Sequence, residues 1–588
     1  MTPDFQKAHI AGVERIAAWS DVLDDINVFP VADGDTGRNL ITSLTPLRYL
    51  EKDLDDTIHK LLMSARGNSG NIAVQFFSGF LTADSYANLA RAAKSGRDQA
   101  WQAVNKPIPG TMLTVLDTLV DFLEKSDFEI KTEYVDKIIG LLEESVKSTP
   151  QLLPKLKQAG VVDSGALGMY IFLEGFFKNL IGQHNEFRPI STIFQGSLKI
   201  LPSYQIQMEE GYCVDTVIHF DERAENNVSR LSQYGDNVVV IPHKDYWKVH
   251  LHTRNAREAK AQIESIGDVV NWTDDDIGSQ IKDFARLHRQ GTVHIMTDAA
   301  GSVTREDSRE LGLTLLDSYI IAGEKSLPET LFSPAELYQT MRRGVRVSTS
   351  QASVFERHQY YQRLLTQYPK VLYLCVGSVF TGNYDVAMDW KAQNDPDDRL
   401  TVIDTGAASG RLGAIVIATA KYAAQTKDPQ AVIKFAHRAV EKCEEYVFLD
   451  KLKYLAAGGR LAKSSAFFGD VFRVKPIISP TAEGAKKVGA VNTRNAQLKY
   501  ALDKLEGSFD KESSPFIMLE YSDNHDWVSD TVKKQIQTHF PSAEIMLQPL
   551  SLTSGVHMGP GTWAVAFLPP AAYNIEGRDL MTDNKGQK

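Results

Sequence analysis

A chain of 588 residues is too long for a single hydrophobic core and predicts several domains of ordinary size. With 43% hydrophobic and 23% charged residues, and Gly and Pro spread along its length, it excludes fibrous and disordered classes. A net charge of −10 argues against nucleic acid as a partner held by bulk electrostatics, because such binders carry a basic face.

Residues 1–190 read as helix after helix. The opening "MTPDFQKAHIAGVERIAAW" lacks the pattern of a secretion signal, and no stretch approaches the roughly 20 apolar residues of a membrane span. A cytoplasmic address without stable membrane insertion is expected. "TMLTVLDTLVDFLEK" places Met112, Val115, Leu119, Phe122 and Leu123 on one helical face, and "EYVDKIIGLLEESVKS" does the same with Val135, Ile138, Ile139, Leu142 and Val146. Glycine-rich breaks punctuate this all-α region: "DGDTG", "ARGNSGN", "KPIPGTM" and "VVDSGALG".

Residues 200–285 change period. "GYCVDTVIHF", "NVVVIP" and "YWKVHLHT" are β-like runs separated by polar, helix-compatible stretches, which predicts a small α+β domain. From 290 to 572 short apolar runs such as "TVHIMTD", "KVLYLCVG" and "RLTVIDTG" alternate with helical segments such as "GRLGAIVIATAKYAAQ". These read as parallel strands with crossover helices, followed by a second α/β lobe holding "PFIMLEYSD", "AEIMLQPL" and "WAVAFLP".

Three groups of residues carry candidate chemistry. In "NVFPVADGDTGRNL", Asp33 and Asp35 flank one glycine, so a tight turn can aim both carboxylates at one centre, with Asn27 approaching from the preceding segment. Oxygen ligands without His or Cys suit Mg²⁺; the pair taken alone reads more readily as an Asp-capped loop entering a helix. "RGNSGN" offers Asn68, Ser69 and the amides of Gly67 and Gly70 for phosphate, without the Lys of a Walker loop. In "KVHLHT", His250 and His252 share a strand face, and Cys213 lies on another strand of the same domain; two imidazoles and a thiolate suit Zn²⁺, or they are satisfied core groups. Cys213, Cys375 and Cys443 are too few and scattered for a disulfide framework, which fits a reducing compartment. In the last third, "VSTSQAS" and "VGSVFTGNY" are hydroxyl-rich loops after apolar runs, with Arg460 and His557 as candidate partners for a carboxylate; local capping is the competing reading.

Together, "NVFPVADGDTGRN", "ARGNSGN", "KPIPGTMLTVL" and "VVDSGALG" resemble the nucleotide-binding domain of the dihydroxyacetone-kinase L-subunit family, in the version that opens bacterial fatty-acid kinases. The resemblance implies an all-α helical barrel. It also implies ATP and Mg²⁺, with Asp33 and Asp35 at the metal, where Asn27 is the third candidate from the residues alone, and Thr36, Gly37, Arg38, Asn39, Ser69, Gly70, Thr111 and Asp163 around the nucleotide. "EEGYCVDTVI", "GDNVVVI" and "WKVHLHTRN" resemble the middle domain of the same kinase chain, where the residues matching Cys213, His250 and His252 form a metal site tied to activity. That implies a structural role for them or one in steadying the transferring phosphoryl group. "TVHIMTDAAGSV", "TSQAS", "GSVFTGNY", "VIDTGAASG", "LAAGGRLA" and "HMGPGT" resemble the DegV family of fatty-acid-binding proteins. There an acyl chain lies between two α/β lobes and its carboxylate meets hydroxyls and a histidine, here Thr349, Ser350, Ser378 and His557, while Arg460 faces the kinase.

The chain thus resembles a kinase component joined to its carrier. The implied reaction is ATP plus fatty acid giving ADP and acyl phosphate, in a homodimer that serves a downstream acyltransferase. Two other readings stand beside it. One is a dihydroxyacetone-type kinase of a small hydroxylated substrate, although no segment resembles the component that presents that substrate. The other is a lipid-binding regulatory protein with an inactive nucleotide site, kept open by Arg38 and Arg254, where the resembled kinases more often have a small residue and Asp.

Overall fold

The computed structural model describes residues 2–50, 53–125, 131–184, 186–219, 231, 233–285, 293–323, 325–457 and 474–573. The chain divides into two compact units, Met1–Arg286 and Leu287–Lys588. The helical and middle segments expected as separate domains therefore share the first unit.

In that unit, α1 (Pro3–Asp25), α2 (Thr36–Leu44), α3 (Leu54–Ser64), α4 (Gly67–Phe80), α5 (Leu89–Ala103), α6 (Met112–Lys125), α7 (Thr132–Leu152), α8 (Pro154–Ala159) and α9 (Ser164–Leu180) follow one another. Contacts run α1 to α2, α2 to α4, α4 to α5, α5 to α6, α6 to α9 and α9 back to α1, closing a barrel. The faces read from the sequence on α6 and α7 are the buried ones. An aromatic core of Phe76, Phe77, Phe80, Phe172 and Phe176 fills the space between α4 and α9. His9 is embedded in it with its Nδ1 2.7 Å from the Phe5 carbonyl, and burial lowers its pKa to about 4, so it is neutral packing.

Four antiparallel strands follow in the order β2–β3–β1–β4: β1 (Tyr212–His219), β2 (Asp236–His243), β3 (Tyr246–Thr253) and β4 (Asp268–Asp276). The acidic β4, "DVVNWTDDD", follows the three runs read as β-like and is not among them; pairing with β1, not apolar alternation, makes it a strand. The helix Ile277–Phe284 then packs Ile277 and Ile281 against Val31 and Cys213, which fastens the middle segment to the barrel.

The second unit has the two α/β lobes expected. Its first sheet, β11–β10–β5–β6, is parallel, built from β5 (His294–Asp298), β6 (Thr314–Leu316), β10 (Val371–Cys375) and β11 (Leu400–Asp404). A small sheet in the order β8–β7–β9 joins β7 (Tyr319–Ala322), β8 (Lys325–Pro328) and β9 (Val347–Ser350). The second lobe is a six-stranded sheet, β14–β13–β12–β17–β15–β16. Its strands are β12 (Glu444–Phe448), β13 (Lys475–Thr481), β14 (Gly484–Val491), β15 (Phe516–Tyr521), β16 (Glu544–Pro549) and β17 (Trp563–Leu568). Only β15 and β16 run parallel in it, so this lobe is less regular than alternating strands and helices suggested. At the end of β5 the buried Asp298 accepts from Arg357, Tyr373, Asn383 and the Val376 amide, at 2.8–3.0 Å, and ties the loops after β5 and β10 together.

Candidate functional site

The Asp33–Asp35 turn joins α1 to α2. Asp35 occupies the N-cap position of α2, yet its side chain makes no capping hydrogen bond. The cap comes from Asp24, whose Oδ1 accepts from the amides of Gly37 at 2.7 Å and Arg38 at 3.2 Å. Arg38 turns back as well: its Nε is 3.0 Å from Asp24 and its Nη2 donates to the Gly34 carbonyl at 2.6 Å. Asp24 thus releases Asp35 from capping and neutralises Arg38. Nothing in the sequence marked Asp24, because a carboxylate at the end of an amphipathic helix looks like ordinary surface.

Burial raises the Asp33 pKa well above the usual carboxylate range, and the neighbouring Asp35 carboxylate adds to this. Two acidic groups pressed together in a dry turn are a donor set that a hard divalent cation relieves, so the residues present fit Mg²⁺. Asn27 lies beside them with its Nδ2 2.6 Å from Asp33 Oδ1 and its Oδ1 3.2 Å from Ser164 Oγ. It therefore orients Asp33. Ser164 Oγ is also 3.0 Å from Thr36 Oγ1, and Thr36 Oγ1 is 3.3 Å from Ser69 Oγ, so three glycine-rich breaks meet in one hydroxyl chain.

Tight helix contacts hold this meeting point. A Cβ on Gly37 would lie 2.1 Å from the Ser20 carbonyl oxygen, one on Gly70 2.0 Å from Ser43 Oγ, and one on Gly67 (φ +58°) 2.1 Å from the Asn39 amide. Asn39 thus buttresses the start of α4. A Cβ on Gly34 (φ +62°) would lie 2.4 Å from the ring of Phe284, which places the middle segment's last helix directly on the acidic turn.

Next to this lies a cavity of about 360 Å³, within the range of small-molecule sites. Its polar wall holds Asn68, Ser69, Thr111, Asp163 and Ser164, and its apolar wall includes Ile72, Ile108, Met112 and Val238. Asp163 caps α9 by accepting from the Ala166 amide at 2.7 Å, and burial raises its pKa to about 7. The strand start Gly235–Val238 closes one side of the cavity, a contribution from the middle segment that the sequence did not suggest.

On the sheet, Cys213 pairs with His252 and Asp215 with His250, so all four project from one face. Ligand atoms of Cys213, His250 and His252 lie within 4.8 Å of one another. His250 is fully buried, and its Nε2 has no hydrogen-bond partner. Cys213 Sγ lies 4.0 Å from His250 Nδ1, and a thiol beside two imidazoles fits a zinc-type cation. Burial raises the Cys213 pKa well above the thiol range, with Asp215 adding to it, and burial lowers His252 to about 3. Burial alone would raise Asp215, but Lys248 and His250 hold it below the usual range. The i, i+2 spacing of Cys213 and Asp215 was a visible signal for Asp215.

In the second unit, Thr349 on β9 and His557 on the helix Leu552–Met558 meet, Oγ1 to Nε2, at 3.3 Å. Beneath them Ile320, Phe332, Leu337, Leu552 and Val556 pack in one apolar cluster. Ser378 is engaged elsewhere: its amide and hydroxyl both donate to Asp404, at 3.0 and 2.5 Å. Ser350 donates to the Gln351 carbonyl at 3.2 Å. Arg460 lies outside the described residues.

Comparison with known proteins agrees with this layout. Residues 30–178 match the DAK2 domain model, 209–283 the FakA-like middle-domain model of fatty acid kinase, and 292–570 that of the uncharacterised DegV family. Their order matches a FakA-type fatty-acid kinase fused to a DegV segment. Uncharacterized proteins of Staphylococcus saprophyticus and Staphylococcus haemolyticus are 31% and 33% identical, covering 51% and 48% of this chain and 59% and 56% of their own. One of Staphylococcus aureus is 31% identical over 54% of this chain and 64% of its own, so the chain spans less than two thirds of these relatives. Among solved structures, a DegV family protein from Thermus thermophilus titled for fatty-acid binding aligns with 47% of this chain and 99% of its own, at 22% identity and TM-score 0.44. DegV of Bacillus subtilis, titled a fatty acid binding protein, aligns with 48% and 100%, at 18% identity and TM-score 0.44.

Proposed function

We propose that the chain is a fatty-acid kinase, transferring the γ-phosphate of Mg-ATP to the carboxylate of a fatty acid held by its C-terminal unit and yielding ADP and acyl phosphate. The observation that carries this reading is Asp35: a carboxylate at a helix N-cap position whose capping duty is performed by Asp24. Such a group is kept for something other than the fold.

The acceptor needs no general base, since a carboxylic acid with a pKa of about 4 to 5 is already ionised at neutral pH. What the protein must supply is alignment and charge neutralisation. Asp33 and Asp35 would hold Mg²⁺, which when bound offsets charge on the phosphate oxygens. Asn27 orients Asp33, and the α4 start at Asn68–Gly70 offers amides to phosphate. The apolar wall around Ile72, Ile108 and Met112 suits a purine ring. Thr349 and His557 present hydroxyl and imidazole groups to the fatty-acid carboxylate. A homodimer and a downstream acyltransferase that consumes acyl phosphate belong to the same reading, as does a cytoplasmic address. Among the described residues no helix is long and apolar enough to cross a membrane.

Incubation with Mg-ATP and oleate or palmitate, with hydroxylamine as trap, is expected to yield acyl hydroxamate. Lipid that co-purifies with the protein while no hydroxamate forms from either acid would instead favour a lipid-binding regulatory protein.

A further inference from the structure

We propose that a zinc ion at Cys213, His250 and His252 and a nucleotide in the neighbouring cavity are energetically coupled, with Asp215 and Asn237 as the positioning residues that connect them. The proposal rests on the kinase reading above and adds a regulatory input to it.

Two bridges, each one side chain long, join the cluster to the cavity. Asp215 is buried between them on the first. Its Oδ2 lies 3.4 Å from His250 Nδ1 and accepts from the Gly67 amide at 2.9 Å. Its Oδ1 accepts from Asn71 Nδ2 at 2.9 Å and lies 3.3 Å from Lys248 Nζ. Gly67 is the first residue of α4, and the next two, Asn68 and Ser69, line the cavity. On the second bridge His252 Nδ1 is 3.2 Å from Asn237 Nδ2. Asn237, held at φ 51°, is itself part of the cavity wall.

The direction of the effect follows from ordering. His250 Nδ1 faces both Asp215 Oδ2, at 3.4 Å, and Cys213 Sγ, at 4.0 Å, so the carboxylate fixes the imidazole that borders the thiol. Filling the cluster fixes both imidazoles, and through them Asp215 with the α4 start and Asn237 with the opposite wall. A nucleotide then enters a site already ordered, so it binds more tightly. Linkage requires the nucleotide to tighten zinc by the same factor.

The test uses the full chain, stripped of zinc by chelation or reloaded with it. Binding of a fluorescent, non-hydrolysable ATP analogue with Mg²⁺ is read by anisotropy, and zinc affinity by competition with a chromophoric chelator. Zinc is expected to tighten analogue binding about tenfold, and saturating analogue to tighten zinc equally. In Asp215→Asn and Asn237→Ala the coupling is expected to fall below about threefold while zinc still binds. The exposed Asn237→Ala variant, assayed zinc-loaded, reads the link without stripping metal from the fold. Equal analogue affinity with and without zinc overturns the coupling and leaves the kinase reading standing. Absence of analogue binding in both states overturns both. Wild-type coupling in both variants overturns the assignment of Asp215 and Asn237.

Discussion

The two units treat their polar motifs in opposite ways. In the first, a carboxylate placed for capping is left available because another residue does the capping, as Asp24 does for Asp35. In the second, most hydroxyls of the motif loops are consumed by their own surroundings: Ser378 by Asp404 and Ser350 by the Gln351 carbonyl, leaving Thr349 with His557. A motif rich in polar groups is thus not itself a site. What identifies a site is the side chain whose local partner has been supplied by something else.

That contrast can be broken by mutation, beginning with the largest expected effect. Asp35→Ala should lower hydroxamate formation by at least about a thousandfold, by analogy with the loss of a main charge-stabilising group, while fatty acid remains bound. Full activity in that variant would remove the metal assignment. Asp24→Ala should cost about 1–2 kcal/mol for the cap alone, read by denaturant unfolding. It should also lower turnover, because Asp35 and Arg38 lose the group that keeps them apart from each other's tasks; unchanged turnover would mean that Asp24 does not keep Asp35 free.

In the second unit His557→Ala should weaken fatty-acid retention about tenfold, the loss of one hydrogen bond to a charged group, and leave ATP-analogue binding unchanged. A buried carboxyl pair there gives a pH test. Burial raises both Glu445 and Glu520, and Glu520 further raises Glu445; Ser409 Oγ lies 3.1 Å from Glu520, and the Gly410 amide donates to Glu445 at 3.2 Å. The folded pair holds protons more tightly than the unfolded chain, so its contribution is most favourable at low pH and is lost as pH rises through the raised pKa values. Glu520→Gln should therefore lessen the stability lost as pH rises above the ordinary carboxylate range, by about 1.4 kcal/mol for each pKa unit removed. The smallest effect belongs to Ser378→Ala, expected to change fatty-acid retention by less than about twofold, since its hydroxyl is already bound within the fold. A loss as large as that of His557→Ala would show that Ser378 leaves Asp404 to meet the ligand.

How much of this was legible depended on whether the information was local. The faces of α6 and α7 follow from 3.6-residue spacing, and the acidic turn and glycine breaks are short motifs whose function needs their own residues in order. The Cys213, His250 and His252 cluster was half-legible: alternation put the histidines on one face, but only the pairing register brings Cys213 opposite His252. Asp24 and Asn237 left no trace, because each works through a partner on another element that spacing does not reveal. The acidic β4 was missed because pairing with β1 stabilises it in place of an apolar pattern of its own.

The contact between Gly34 and Phe284 has a consequence for dividing the protein. The turn between the two aspartates belongs to the barrel by sequence, yet the ring that covers it comes from the last helix of the middle segment, and Asp215 beneath the Gly67 amide comes from that segment's first strand. A fragment cut in the connector between barrel and middle segment would keep every residue of the acidic motif while exposing its turn to water and leaving the first amide of α4 without its acceptor. Barrel and middle segment are one inheritable part, to be transplanted, duplicated or recombined together.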